Sequence, residues 1–129
     1  MTLRRLLLVL LGGSVGTAAR LAVGLGMPDA GGFPTATLVV NVLGSLAIGI
    51  LAARIPQTTD ARVLLGTGVL GGFTTYSAFM TGTLALGVDA PLLAVAYAVG
   101  SLVLGLAAAA LGLRLGRPCT RPARGGDVS

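Results

Sequence analysis

Gly68 to Phe79, reading G-V-L-G-G-F-T-T-Y-S-A-F, lies at the centre of an uncharged run from Val63 to Leu86 that is long enough to cross a bilayer. Its composition argues against a regular helix. Gly68, Gly71 and Gly72 each cost about 1 kcal/mol of helix relative to alanine, and the β-branched Thr74 and Thr75 lose further rotamer freedom. A span weakened at mid-depth must find new partners for the freed N–H and C=O groups. Protein or a water-filled cavity can supply them; lipid cannot. Two readings are open. Gly68 and Gly72, four apart, can form a face for close helix packing, or the helix breaks and its unwound carbonyls offer a cation site.

The rest of the chain is equally apolar. Its 129 residues are 54% hydrophobic and only 10% charged, with a mean hydropathy of +0.94, whereas soluble domains carry about 25% charged residues. A single all-helical membrane domain follows. Histidine, glutamate and lysine are absent, and the acids are Asp29, Asp60, Asp89 and Asp127. With one cysteine, Cys119, a single chain has no disulfide, no zinc or iron–sulfur ligand set and no Ser-His or Cys-His chemistry. No general base or nucleophile pair lies at depth, so an enzyme is not expected. The sequence pI of about 11.2 does not point to nucleic acid, because the arginines sit at the ends of apolar runs.

Four spans are expected, over about 3–25, 35–53, 63–87 and 91–113, with 114–129 as a basic, disordered tail. The first begins after Arg4 and Arg5, and Gly12, Gly16 and Arg20 share its packing face. A signal peptide would begin similarly. Apolar character continues past Ala19 and three more spans follow, so an uncleaved helix is expected. In the second span Thr37, Asn41, Gly44, Ser45 and Ile48 form a small or polar stripe, and the remainder suits lipid. In the fourth, Pro91 suits a first turn, and Tyr97, Ser101, Gly105, Ala108 and Gly112 align on one face.

An even number of spans puts both ends and the 54–62 loop on one side. That side holds eight arginines (Arg4, Arg5, Arg54, Arg62, Arg114, Arg117, Arg121 and Arg124) and the other only Arg20. The positive-inside rule therefore predicts a multi-pass protein of the plasma membrane with cytoplasmic termini, its tail arginines near anionic lipid headgroups.

Several residues can carry chemistry. Asn41, inside its span, must face protein, water or a ligand. It is either a helix-to-helix hydrogen bond or an uncharged donor for a small anion. Arg20 either snorkels to the interface or stands at the mouth of an anion pathway. Tyr76 and Phe79 share a face, where they pack or turn positive ring edges towards an anion. The hydroxyls of Ser77, Thr81, Tyr97 and Ser101 either pack between helices or extend a line of donors.

With these residues assembled, the chain resembles the fluoride channel family known as Fluc or CrcB. The likeness rests on G-G-S-V-G-T-A-A-R, T-L-V-V-N-V-L-G-S-L-A-I-G and G-V-L-G-G-F-T-T-Y-S-A-F, and covers nearly all of residues 5–113. It implies four-helix subunits paired antiparallel, as in dual-topology proteins, with the broken third helix at the dimer centre. It also implies a structural sodium ion held there by the main-chain carbonyls of Gly71 and Thr74 of both subunits. Fluoride would pass Asn41, Tyr76 and Phe79, with Ser77, Tyr97 and Ser101 as hydroxyl donors and Arg20 in the vestibule. The resemblance implies passive export of fluoride from the cytoplasm, and hence fluoride resistance.

Two features depart from the family pattern. Tyr76 stands where the family usually has phenylalanine, so its hydroxyl either donates to fluoride or blocks the path. Eight arginines against one is also unbalanced for a chain that inserts both ways, which favours one orientation and a related, oppositely oriented partner over an identical one. Two rivals remain: a small multidrug-type antiporter, disfavoured because all four aspartates lie in loops or the tail, and a non-transporting assembly subunit.

Overall fold

The computed structural model describes residues 2–29 and 31–119. Four apolar segments are long enough to cross a membrane: Leu3–Gly26, Thr35–Arg54, Asp60–Asp89 and Pro91–Gly116. Three are single helices, α1 (Leu3–Gly26), α2 (Thr35–Arg54) and α6 (Pro91–Gly116). The third is built from pieces. A turn of α-helix, α3 (Asp60–Arg62), leads into a π-helix (Val63–Leu70) and a second short turn, α4 (Gly71–Phe73). Thr74 and Thr75 are extended, and α5 (Tyr76–Asp89) completes the crossing.

Local chemistry explains the boundaries. Ile55, which precedes Pro56, is extended, as steric conflict with a following proline ring requires, and α2 ends there. Pro91 opens α6 at its first turn, where no N–H is needed. In the α1–α2 loop Gly31 and Gly32 have φ of +63° and +82°, a region that side chains disfavour. Their turn leads to Phe33, whose ring meets Tyr97 edge-on at 5.4 Å.

Glycines set the packing. Gly12 and Gly16 of α1 lie against Gly68, Val69 and Phe73, and Gly72 lies against the Gly13 backbone, with no room for a methyl group at Gly12, Gly16 or Gly72 and a tight fit at Gly68. A second seam joins α2 to α6, where Gly49 meets Ala109 and Gly112 meets Leu46. Close backbone approach of this kind yields dispersion contacts in lipid, where hydrophobicity does not drive helices together.

The fourth span runs further than expected. Its helix continues to Gly116, so Arg114 belongs to its last turn and not to a tail. The expectation of a disordered tail otherwise falls on residues 120–129, outside the described residues, as do Arg121, Arg124 and Asp127. The second span also departs from its expected lipid exposure. Val40 is its most buried side chain, Leu51 is buried, and Leu38 packs on the cluster of Leu86, Ala94 and Tyr97. Lying between α6 and the third span, α2 has few positions left for lipid.

Candidate functional site

The third span is broken, but not at its glycines. Gly68 and Gly72 form the packing face that their spacing suggests, and the chain opens one turn later at Thr74 and Thr75. The packing face and the break are therefore both present in one span. The π-helical stretch that precedes the break is a form found mostly as single turns at functional sites.

Asn41 organises the break. Its Oδ1 accepts from the Thr75 N–H at 2.8 Å, and its Nδ2 donates to the Thr75 carbonyl at 3.0 Å. One amide thus satisfies both backbone groups of an extended residue inside the bundle. This assigns O and N of the side chain without ambiguity, since an N–H needs an acceptor. The second Nδ2 hydrogen remains for another acceptor. Thr75, buried, then caps α5: its Oγ1 accepts from the Ala78 N–H at 3.2 Å and lies 3.2 Å from Ser77 Oγ.

These two substitutions have a consequence for the carbonyls. In an unbroken helix the Gly71 carbonyl would receive the Thr75 N–H, and the Thr74 carbonyl the Ala78 N–H. Asn41 takes the first and Thr75 Oγ1 takes the second. Among the described residues no hydrogen bond ends on either carbonyl. Thr74 itself stays tied to the preceding turn, its N–H and Oγ1 both donating to the Leu70 carbonyl at 3.0 and 2.9 Å.

A groove of about 560 Å³ runs past this break. Asn41, Gly71, Thr74, Tyr76, Phe79 and Ser101 all line it, so the structure brings together most of the residues marked in the sequence. Its other walls are Gly44, Ser45 and Ile48 of α2, Gly66 and Leu70 of the π-helix, and Gly105 and its neighbours on α6. No charged side chain lines it. Tyr76, 74% exposed, sits beside Phe79 with ring centroids 6.1 Å apart, and Phe79 continues to Tyr97 at 5.7 Å.

Four marked residues lie elsewhere, among them Thr81, whose hydroxyl donates to the Ser77 and Ala78 carbonyls of its own helix at 3.0 and 3.2 Å. Tyr97 is buried behind Phe79, and its hydroxyl and that of Ser101 are enclosed with no partner among the described residues. Ser77 is exposed at the first turn of α5, next to Thr75. Arg20 is half-buried on α1, away from the groove and in no ion pair among the described residues. The sequence marks Thr75 only as a weak helix former, and its pairing with Asn41, like the contact of Phe33 with Tyr97, comes from the structure. Thr75 carried a signal, a threonine placed to cap the helix that follows; Phe33, in a loop, carried none.

The chain also matches known proteins. The family model described as CrcB-like protein, camphor resistance (CrcB), matches residues 7–113. A Thermus thermophilus protein named fluoride-specific ion channel FluC is 45% identical over 122 residues, covering 90% of this chain and 96% of that protein. Proteins of the same name from Oceanobacillus iheyensis and Chlorobaculum tepidum are 37% and 46% identical, covering 92% and 83% of this chain and 96% and 90% of those proteins.

Proposed function

The chain belongs to the CrcB-like family of multi-pass membrane proteins, and from that premise we propose that it is a fluoride-selective channel. It is not an enzyme. Fluoride moves passively out of the cytoplasm across the plasma membrane, which confers resistance to the ion. The observation that carries the reading is the diversion of the Thr75 and Ala78 N–H groups. It leaves two bare carbonyls beside an uncharged, donor-bearing groove in a membrane span.

The donors suit the ion. Fluoride is small and strongly hydrated, so it needs firm replacements for its water, whereas a fixed cation on the path would hold it. Conduction requires binding strong enough to admit the ion and weak enough to release it. Asn41 offers its remaining N–H, Tyr76 and Phe79 their ring edges, and Ser101 stands at the groove wall, while the Tyr97 hydroxyl lies behind Phe79 as a second layer to that wall. Ser77 extends the hydroxyls at the α5 end, and Arg20 raises anion concentration from a vestibule outside the groove.

The resident cation of this reading is sodium. The Gly71 and Thr74 carbonyls fit it, being hard oxygen donors left without N–H partners among the described residues. Bound there, sodium would supply positive potential beside the path and tie two subunits together. Gly71 is exposed in the single chain, as a residue facing a second subunit would be.

That second subunit lies antiparallel. The start of α1, the α2–α3 loop and the end of α6 share one end of the bundle: Arg4 pairs with Asp60 at 2.7 Å, and Gly116 packs on Ile50 and Ala53. Arg4, Arg5, Arg54, Arg62, Arg114 and Arg117 therefore cluster there, and that end is cytoplasmic. So biased a chain inserts one way and takes a related, oppositely inserted partner. The lone exposed Cys119 reports this directly: an impermeant maleimide should label it from one side only, and equal labelling from both would reject a single orientation.

The main test is fluoride efflux from liposomes. Rapid efflux without chloride leak, dependent on sodium, is expected when the chain is reconstituted with its partner. Efflux by the chain alone would remove the need for a related partner, and no efflux in either case would remove the channel reading.

A further inference from the structure

The arginines at the cytoplasmic end are not equivalent. Arg4 and Arg5 direct their charge at one carboxylate, Asp60, at 2.7 and 3.8 Å, and Arg5 also donates to the Thr58 carbonyl at 3.2 Å. Arg62 has no ion pair among the described residues. It is half-buried, and its Nη1 makes one long bond, 3.4 Å, to the Ile55 carbonyl. Its stem runs back along the π-helix to Gly66, where an added Cβ would lie 3.5 Å from Arg62 Nε and 3.6 Å from Cδ. Gly66 is a wall of the groove, one turn closer to the cytoplasmic end than Leu70 and Gly71. A partly desolvated guanidinium, unneutralised by any described carboxylate, thus stands where an otherwise uncharged groove meets its cytoplasmic end.

We infer that Arg62 recruits small anions to the cytoplasmic mouth of the groove, an assignment that rests on the channel reading only for the identity of the anion. The physical basis is focusing: a cation at the edge of a low-dielectric cleft raises the local anion concentration. It does so without sitting on the path, where it would retain the ion. Arg62 is a positioning residue in this scheme; Asn41 and the hydroxyls make the contacts within the groove.

The test uses a reporter thiol in the full chain. With Cys119→Ser as background, Gly66→Cys is introduced, where the atoms nearest an added Cβ belong to the Leu51 and Arg62 side chains, at 3.3 Å and beyond. Rates of modification by an anionic sulfonatoethyl and a cationic trimethylammonioethyl methanethiosulfonate are compared in solubilised protein. Their ratio cancels any change in thiolate fraction and reads the local potential. Adding Arg62→Gln should lower the anionic-to-cationic ratio about fivefold at low ionic strength, with the difference vanishing in high salt. Adding Arg62→Lys should retain most of the ratio. An unchanged ratio, an equal loss with lysine, or no reaction with either reagent would overturn the assignment. Fluoride efflux by the unsubstituted protein, alone and reconstituted with its partner, separates the two ideas. Efflux with an unchanged ratio rejects Arg62 alone, while an intact Arg62 effect without efflux rejects fluoride conduction and leaves the anion mouth standing.

Discussion

Two sides of the third span are built from the same residue and do opposite things. Towards α1, Gly68 and Gly72 press backbone on backbone: a methyl group would fit tightly at Gly68, its Cβ position 3.0 Å from Gly12 Cα, and not at all at Gly72. Towards the groove, Gly66 has only side-chain ends nearby, and the Cβ position of Gly71 meets nothing closer than 3.8 Å. One side seals the bundle; the other stays open along the groove. Side-chain volume is the same, so the difference lies wholly in what the neighbouring helices bring to each side.

Substitutions can break or sharpen this contrast. The largest effect on the folded subunit is expected from Gly72→Val, which drives a side chain into the Gly13 backbone and should cost about 3 kcal/mol. A melting curve in detergent that matched the unsubstituted protein would show that the α1 seam yields. Asn41→Ala comes next. It strips the Thr75 N–H and C=O of their partners, for a loss of about 2 kcal/mol, and should end fluoride efflux as well. Unaltered stability with lost efflux would instead confine Asn41 to ion contact. Thr75→Val removes the cap on Ala78 and should lower stability by about 1 kcal/mol, read on the same melting curves.

The smallest effect on folding is expected at the open glycine. Gly71 has φ of −64°, which alanine adopts freely, so Gly71→Ala should leave the subunit within about 0.5 kcal/mol of the original. On the proposed reading, efflux and its sodium dependence should nevertheless fall, because a methyl group there would obstruct the approach of a second subunit. Wild-type efflux from Gly71→Ala would argue that the bare carbonyls face nothing. Thr74→Ala serves as its control: it keeps the carbonyl and loses the hydroxyl bond to Leu70 and the methyl packed beside Gly44, so sodium dependence should persist.

Much of this was legible beforehand. Four spans, the small-residue stripes, the clustering of arginines and the weakness of the third helix follow from residue types and their spacing. Asn41 was recognisable as a residue that needs a partner, because an unpaired amide in hydrocarbon is too costly to persist. Its partner was not recognisable. Thr75 lies 34 residues away, and no local pattern links an amide on one helix to an extended residue on another. The π-helical run was equally hidden, since glycine lowers the cost of several backbone forms without choosing among them.

By itself, the sequence determined that this chain lives in a membrane, crosses it four times and weakens its third crossing, because hydropathy, charge placement and backbone propensity act over short stretches. Only the tertiary structure decided that the glycines seal while the threonines open. That choice depends on which backbone Gly13 and Gly16 press against, and on an amide from α2 reaching Thr75 before the helix can claim it. Among the described residues the Gly71 and Thr74 carbonyls lack N–H partners for the same reason: the donors expected there were taken by side chains that only packing could deliver.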